Sequence, residues 1–252
     1  MKRDAQENGL TGFVRRTEPA RLALEALFIV SAYALYVLVR GAMEGREPVA
    51  FDNASRVIDA EQNLRIFWEP DWQAAILPHN AAEWLVNTAY VWGHLPVIIA
   101  VAVWLYVFHR PRYGLYRNAF LISGAVALLV FWLLPTAPPR LLQHWGFVDT
   151  ASETASYYIW QPPAFVNQYA AMPSLHFGWN VLVTAALVSN LRWSWRYASL
   201  LMPAATGGAA VLSANHFFLD LAAGAVVGLL GLWLALRLRA SLPGRAPFSI
   251  LV

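Results

Sequence analysis

The 252-residue sequence contains no cysteine, few charged side chains and only a small excess of positive charge. Without cysteine, no disulfide framework can hold the loops together, whichever compartment they face. Charged residues make up 13% of the chain and apolar residues 58%, which excludes an ordinary soluble domain. The formal net charge of +3 gives no indication of nucleic-acid binding. The chain also lacks a fixed-period repeat and a low-complexity linker, so we expect a single domain.

Long apolar runs are the most abundant feature of the chain. A membrane-spanning helix needs roughly 20 apolar residues to cross a hydrocarbon layer of about 30 Å, and six runs approach that length. They predict an all-α, polytopic membrane bundle with six transmembrane helices. The runs are residues 21–39, 83–108, 115–134, 174–189, 197–212 and 217–236.

A further segment, residues 50–73, lies between the first two runs and places Glu61 and Glu69 along an apolar pattern. This pattern predicts either an amphipathic helix at the membrane interface or a plain surface helix.

Basic residues are concentrated in alternate segments of this topology. Thirteen of the 18 Lys and Arg lie before or at the start of run one, between runs two and three or at the start of run three, between runs four and five, or after run six. The positive-inside rule therefore places both termini in the cytoplasm. We expect an integral domain over residues 21–240 in the cell membrane, flanked by cytoplasmic segments 1–20 and 241–252. Runs four and six would then begin at the extracytoplasmic face.

Two polar motifs open those two runs. Pro173-Ser174-Leu175-His176 begins run four, and Asn215-His216-Phe217-Phe218-Leu219-Asp220 begins run six. Either motif alone is a weak signal. Ionisable residues inside a membrane are rare and usually functional, however, and both motifs face the same side. Their common position favours a functional site.

The first motif is typical of an anion site. The start of a helix presents backbone N–H groups, here beginning at Leu175, and the helix dipole favours negative charge. Ser174 adds a hydroxyl. Arg140 follows a proline-rich segment, and its planar guanidinium suits bidentate contact with phosphate. The other interpretation of Arg140 is a basic residue that simply meets lipid headgroups.

The second motif supplies a nucleophile. His216 and Asp220 are four residues apart and share one helical face. The carboxylate can therefore hold one imidazole nitrogen protonated while the other attacks phosphorus. His176 would give a proton to the leaving alkoxide and later take one from water or an acceptor alcohol. These roles together predict phosphoryl transfer.

Run two carries three more polar residues on one helical face, Asn87, Tyr90 and His94. Together with Asn215, they would either line a headgroup pocket or join neighbouring helices by hydrogen bonds.

In this order, the motifs resemble those of the type 2 phosphatidic acid phosphatase superfamily, whose pattern includes Pro-Ser-Gly-His and His-x-x-x-Asp. The resemblance covers runs three to six, about half of the chain. It implies that His216 is a phosphohistidine nucleophile, Asp220 its orienting partner and His176 the acid/base. It also implies that Ser174 and Arg140 bind phosphate, with no metal and no other cofactor.

Three departures from the family pattern are informative. Leu175 replaces a glycine, Ala209 and Ala210 stand where Ser-Arg would be, and Leu133 replaces a lysine, so two of three expected cations are missing. The motif segments are instead similar to the branch that includes inositolphosphorylceramide synthases, which pass a phosphoinositol headgroup between lipids. Fewer cations would suit a phosphodiester, which carries less negative charge than a monoester.

The leading hypothesis is a membrane enzyme that transfers a phosphoryl-containing group from a phospholipid or polyprenyl phosphate. The acceptor would be water or an alcohol such as inositol or a lipid alcohol. The alternative is a catalytically retired transporter or scaffold that binds lipid headgroups. A haloperoxidase that uses vanadate is disfavoured, because those soluble enzymes rely on the cations that are absent here.

Overall fold

The computed structural model describes residues 20, 22–36, 38, 46–150, 168–191 and 195–241. The backbone separates into two units, Met1–Val39 and Arg40–Val252, which are described individually. The first unit contains the apolar helix α1, Leu22–Tyr36. The predicted cytoplasmic segments, 1–20 and 241–252, lie outside the described residues except for Ala20 and Ser241.

Helices joined by loops make up the part of the second unit that the structure describes. A single isolated bridge, between Thr136 and Ala170, is the one β-type pairing found there. The prediction of an all-α protein is therefore confirmed. The helices are α2 (Glu47–Leu64), α3 (Glu69–Ile76), α4 (Asn80–Trp92), α5 (Leu95–Phe108), α6 (Arg110–Leu133), α7 (Leu175–Asn190), α8 (Trp195–Ala198), α9 (Leu201–Leu212) and α10 (Phe218–Ala240), with 3-10 turns at Pro139–Leu141 and Gln143–Trp145.

Two of the described helices are long and apolar enough to cross a membrane: α6 with 24 residues and α10 with 23. The pair α4 and α5 would be a third span, bent by 40° at Gly93 and His94. At about 1.5 Å per residue, α7 with 16 residues and α9 with 12 are shorter than the roughly 20 residues of a full crossing. Two or three of the six predicted spans are thus supported, and the others stay a prediction.

The segment predicted as one amphipathic helix is divided into α2 and α3. Arg65 ends α2 in the left-handed conformation, with φ 60°. Pro70 lies in the first turn of α3, where its missing N–H costs nothing. One face of α2 is buried, as expected for an amphipathic helix and for a plain surface helix alike. It packs in a core cluster made of Ala50, Ala54, Val57, Ile58, Ala137, Leu142, Phe147, Ala214 and Phe217.

Glycines allow α7 and α10 to approach each other backbone to backbone. A Cβ atom at Gly224 would lie 2.1 Å from the carbonyl oxygen of Ser174, and one at Gly178 would lie 2.2 Å from the carbonyl oxygen of Gly224. Only glycine fits at such distances. The N–H of Ser174 also donates to the carbonyl oxygen of Asp220 at 2.9 Å. The two helix beginnings that carry the histidine motifs are therefore held together.

Candidate active site

His176 lies in the first turn of α7. Ser174 is the N-cap of this helix, is fully buried, and accepts a hydrogen bond on Oγ from the N–H of Phe177 at 3.3 Å. Leu175, at the position of the family glycine, is the first helical residue and is buried. N–H groups in the first turn of a helix have no partner within it. The predicted anion site thus coincides with a helix beginning next to His176.

His216 lies just before α10, in the turn that follows α9. The N–H groups of Asn215 and His216 both donate to the carbonyl oxygen of Ala210, at 2.9 and 3.1 Å, which fixes this turn. Asp220 Oδ2 accepts from the N–H of Phe217 at 2.9 Å and lies 3.4 Å from His216 Nδ1. Asp220 is fully buried and His216 nearly so. The predicted pair is therefore in place, with Nδ1 toward the carboxylate.

The two histidines from separate motifs come close together. The ring centroids of His176 and His216 are 5.8 Å apart, with the planes inclined by 50°. A reacting atom normally sits about 3–3.5 Å from its attacking atom, so one phosphorus could contact both rings. The arrangement can accommodate a nucleophile on one side of a phosphoryl group and a proton donor on the other.

Tyr90 and His94 both stack on the ring of His176. The centroid of Tyr90 lies 4.4 Å from that of His176 with an interplanar angle of 16°, and His94 lies 4.1 Å away at 28°. His94 also stacks on Trp179 at 5.8 Å. The bend between α4 and α5 brings His94 to this position. These contacts hold the His176 ring in a fixed orientation.

Asn87, the third polar residue of this face, has a different partner. Its Nδ2 donates to the carbonyl oxygen of Thr150 at 3.1 Å, and its Oδ1 accepts from the Thr150 hydroxyl at 3.4 Å. Asn87 is buried. It joins α4 to the loop after α6, which agrees with the hydrogen-bonding alternative for this residue.

Arg140 is buried beside the second motif. Its Nε donates to Asn215 Oδ1 at 3.1 Å, and its Nη1 pairs with Asp149 Oδ2 at 3.0 Å. Its backbone N–H donates to the carbonyl oxygen of Ala214 at 2.8 Å. Arg140 is 6% exposed, so it is buried within the protein rather than lying at its surface. Arg140 and Asn215 instead form one network directly before His216.

The positions of the missing family cations are filled by apolar residues. Ala209 and Ala210 are buried in a core cluster with Tyr90. Leu133 is the last residue of α6 and is 55% exposed. Within the described ranges, no group of three or more His, Asp and Glu is placed to hold a metal ion.

Sequence reasoning missed two residues that shape this region, Asp149 and Gln73. Asp149 is the ion-pair partner of Arg140. The Gln73 side chain accepts from the N–H of Val148 at 3.0 Å and donates to its carbonyl oxygen at 2.8 Å, so α3 holds the loop that carries Asp149. Gln73 and Val148 are 75 residues apart in the sequence, so no local pattern could have indicated their contact.

The sequence profile of the PAP2 superfamily, the type 2 phosphatidic acid phosphatases, matches residues 55–234. The chain belongs to the PAP2 superfamily. The resemblance given by the two motifs is thereby confirmed. A curated relative, phosphoinositol dihydroceramide synthase of Bacteroides thetaiotaomicron, is 25% identical over 158 residues, which are 57% of this chain and 51% of the relative.

This PAP2 member therefore spans about half the length of the curated relative that it matches. The relative agrees with the predicted inositolphosphorylceramide synthase-like branch. No solved structure gives a significant match. Family and relative together support a lipid phosphatase or phosphotransferase at a membrane.

Proposed function

We propose that this PAP2 member transfers a phosphoryl-containing group from a phospholipid or polyprenyl phosphate through a covalent phosphohistidine. One observation carries the proposal: the His176 and His216 rings lie 5.8 Å apart, and Asp220 lies 3.4 Å from His216 Nδ1. A nucleophile, its orienting carboxylate and a second imidazole are thus all within reach of one phosphorus atom.

In the first step, Nε2 of neutral His216 attacks phosphorus while Asp220 stabilises the imidazolium that forms. The P–O bond to the leaving alkoxide breaks, and protonated His176 gives that oxygen its proton. In the second step, neutral His176 takes a proton from water or an alcohol. The resulting oxygen attacks phosphorus, the P–N bond breaks, and His216 returns to its neutral form.

The phosphoryl oxygens would be held by the beginning of α7, with Ser174 and the N–H of Leu175, and by Arg140. Because Arg140 already pairs with Asp149, little net positive charge faces the substrate. A phosphodiester with one negative charge suits this site better than a monoester dianion. The proposed donor is accordingly a phosphodiester lipid, and the proposed reaction is transfer of a phosphoinositol headgroup to a lipid alcohol.

The proposed topology has six membrane crossings and both termini in the cytoplasm of a cell-membrane protein. The distribution of Lys and Arg supports this topology. Both motif helices then open toward the extracytoplasmic face, where the reaction would take place. In this arrangement α2 and α3 lie at the outer membrane interface.

The second candidate is a retired headgroup-binding scaffold or transporter, which the loss of two family cations favours. Purified protein is incubated in detergent and chelator with a panel of phosphomonoester and phosphodiester lipids, with and without a lipid alcohol as acceptor. We expect turnover of diester lipids that is lost in His216→Ala and His176→Ala. The exposed His144 provides the matched control, His144→Ala, which should retain turnover. Lipid binding without turnover in any sample would establish the scaffold instead.

A further inference from the structure

Two glutamates outside the histidine motifs reach the first turn of α10. Glu69, the first residue of α3, accepts on Oε1 from the N–H of Phe218 at 3.0 Å. Glu61, near the end of α2, accepts on Oε1 from the N–H of Leu219 at 2.7 Å. The free N–H groups of a helix beginning are an ordinary binding site for anions. In α10 the protein's own carboxylates occupy them.

These contacts lie immediately beside the proposed nucleophile. Asp220 accepts a hydrogen bond from the N–H of Phe217 at 2.9 Å, and its carboxylate also faces His216. Three consecutive N–H groups after His216 are therefore each bonded to a different carboxylate. The phosphate must accordingly be held at the beginning of α7 rather than at that of α10.

The ionisation of these three carboxyl groups depends on their burial. Glu61, Glu69 and Asp220 are all 0% exposed. Among the described residues, no N–H or hydroxyl group donates to Oε2 of either glutamate. Burying ionised carboxylates without donors is costly, and like charges at close range disfavour joint ionisation. A proton carried by one glutamate supplies the missing donor for the other and removes one charge.

The expected ionisation of Glu61 agrees with this geometry. Burial raises its pKa, and a hydrogen bond with Glu69 and the nearby charges of Glu69 and Asp220 raise it further, whereas the N–H of Leu219 lowers it. The result is a pKa of about 9. The titratable groups that face the pair are Asp220 and, across it, His216.

We propose that Glu61 and Glu69 share one proton and act as a positioning clamp that fixes the start of α10 and thereby orients His216. The inference rests on the proposed function, because the clamp serves the nucleophile named there. Loss of the shared proton places a second negative charge in the buried pair. The clamp then opens, so turnover and local stability both fall as pH rises into the alkaline range.

The test compares Glu61→Gln with Glu61→Ala. Glutamine retains an oxygen for the N–H of Leu219 and an amide donor for Glu69, but it does not titrate. We expect Glu61→Ala to lower kcat by about 10²-fold, as for a displaced reacting group, with little change in KM. Glu61→Gln should restore kcat, and its alkaline fall should retain only the part that deprotonation of His176 causes. Asp59→Asn, an exposed carboxylate on α2, should match the wild type.

A second measurement needs no turnover. Hydrogen exchange at the N–H groups of Phe218 and Leu219 is followed against pH in the wild type and Glu61→Gln. We expect protection to fall in the wild type at alkaline pH and to persist in the variant. Equal exchange in both proteins at every pH would overturn the clamp. An inactive wild type with this difference in exchange would overturn the proposed function and leave the clamp standing.

Discussion

Replacing Gly224 with alanine tests whether the approach of α7 and α10 places the histidines. The new Cβ would lie 2.1 Å from the carbonyl oxygen of Ser174 and 2.9 Å from its carbonyl carbon, whereas ordinary contact begins at 3.4 Å. The atoms in conflict belong to two backbones, so no side chain can turn aside. The helices must separate by more than about 1 Å. Ser174 is two residues before His176, so the imidazole moves with it.

A displacement of about 1 Å costs on the order of 10²-fold in rate when reacting groups are misplaced. The same overpacking should lower the free energy of unfolding by about 1–3 kcal/mol. The loss of rate is measured as turnover of a phosphodiester lipid, and the loss of stability is measured by thermal unfolding in detergent. We expect Gly224→Ala to lose most of its turnover while remaining folded.

Gly208 in α9 provides the matched control, because a Cβ there would meet nothing within 4 Å. Removing a glycine from a helix interior stabilises the helix by about 0.5–1 kcal/mol, so Gly208→Ala should be at least as stable as the wild type and fully active. If Gly224→Ala were as active and as stable as the wild type, the close packing of α7 on α10 would not position the site.

Three further changes test other parts of the site. Tyr90→Leu removes the ring that stacks on the imidazole of His176 and should lower kcat by about 2–10-fold, since such ring pairs contribute about 0.5–1.5 kcal/mol. Tyr90→Phe keeps the ring and should retain the rate. Equal losses of kcat in both variants would implicate the hydroxyl group instead. Gln73→Leu removes both hydrogen bonds to Val148 and leaves its N–H without a partner, while its carbonyl keeps only the bond from the N–H of Thr150. The free energy of unfolding, measured by denaturation, should fall by about 1–3 kcal/mol. The exposed Gln143→Leu should not lower it. Turnover of the wild type should fall at both acidic and alkaline pH, because one imidazole must be neutral and the other protonated; a flat profile from about pH 5 to 9 would assign one step to another residue.

Part of the candidate site could be predicted from the spacing of residues along the sequence. The four-residue separation of His216 and Asp220 predicts a shared helical face. His216 lies just before α10 rather than on it, but its Nδ1 is still 3.4 Å from the carboxylate. Likewise, Pro173 and Ser174 indicate a helix beginning, and Ser174 is the N-cap of α7. These relations depend on residues within one turn, which a sequence displays directly.

Contacts between distant segments could not be predicted in the same way. The pattern around Glu61 is that of an amphipathic helix, yet the carboxylate bonds to Leu219, 158 residues away. The left-handed Arg65 that separates α2 from α3 has no sequence signature, since it is not a glycine. The spacing of Tyr90 and His94 predicts one helical face, but α4 ends at Trp92 and His94 lies in the bend before α5. Their stacking on His176 depends on how α4 and α5 meet α7.

The most direct measurement traps the covalent intermediate. A phosphodiester lipid is added to the wild type and to His216→Ala, and the reactions are quenched in alkali to preserve a P–N bond. Peptide mass spectrometry then locates the adduct. We expect a headgroup phosphate on His216 in the wild type and no adduct in His216→Ala. Turnover with no adduct, or with an adduct on another residue, would contradict nucleophilic attack by His216.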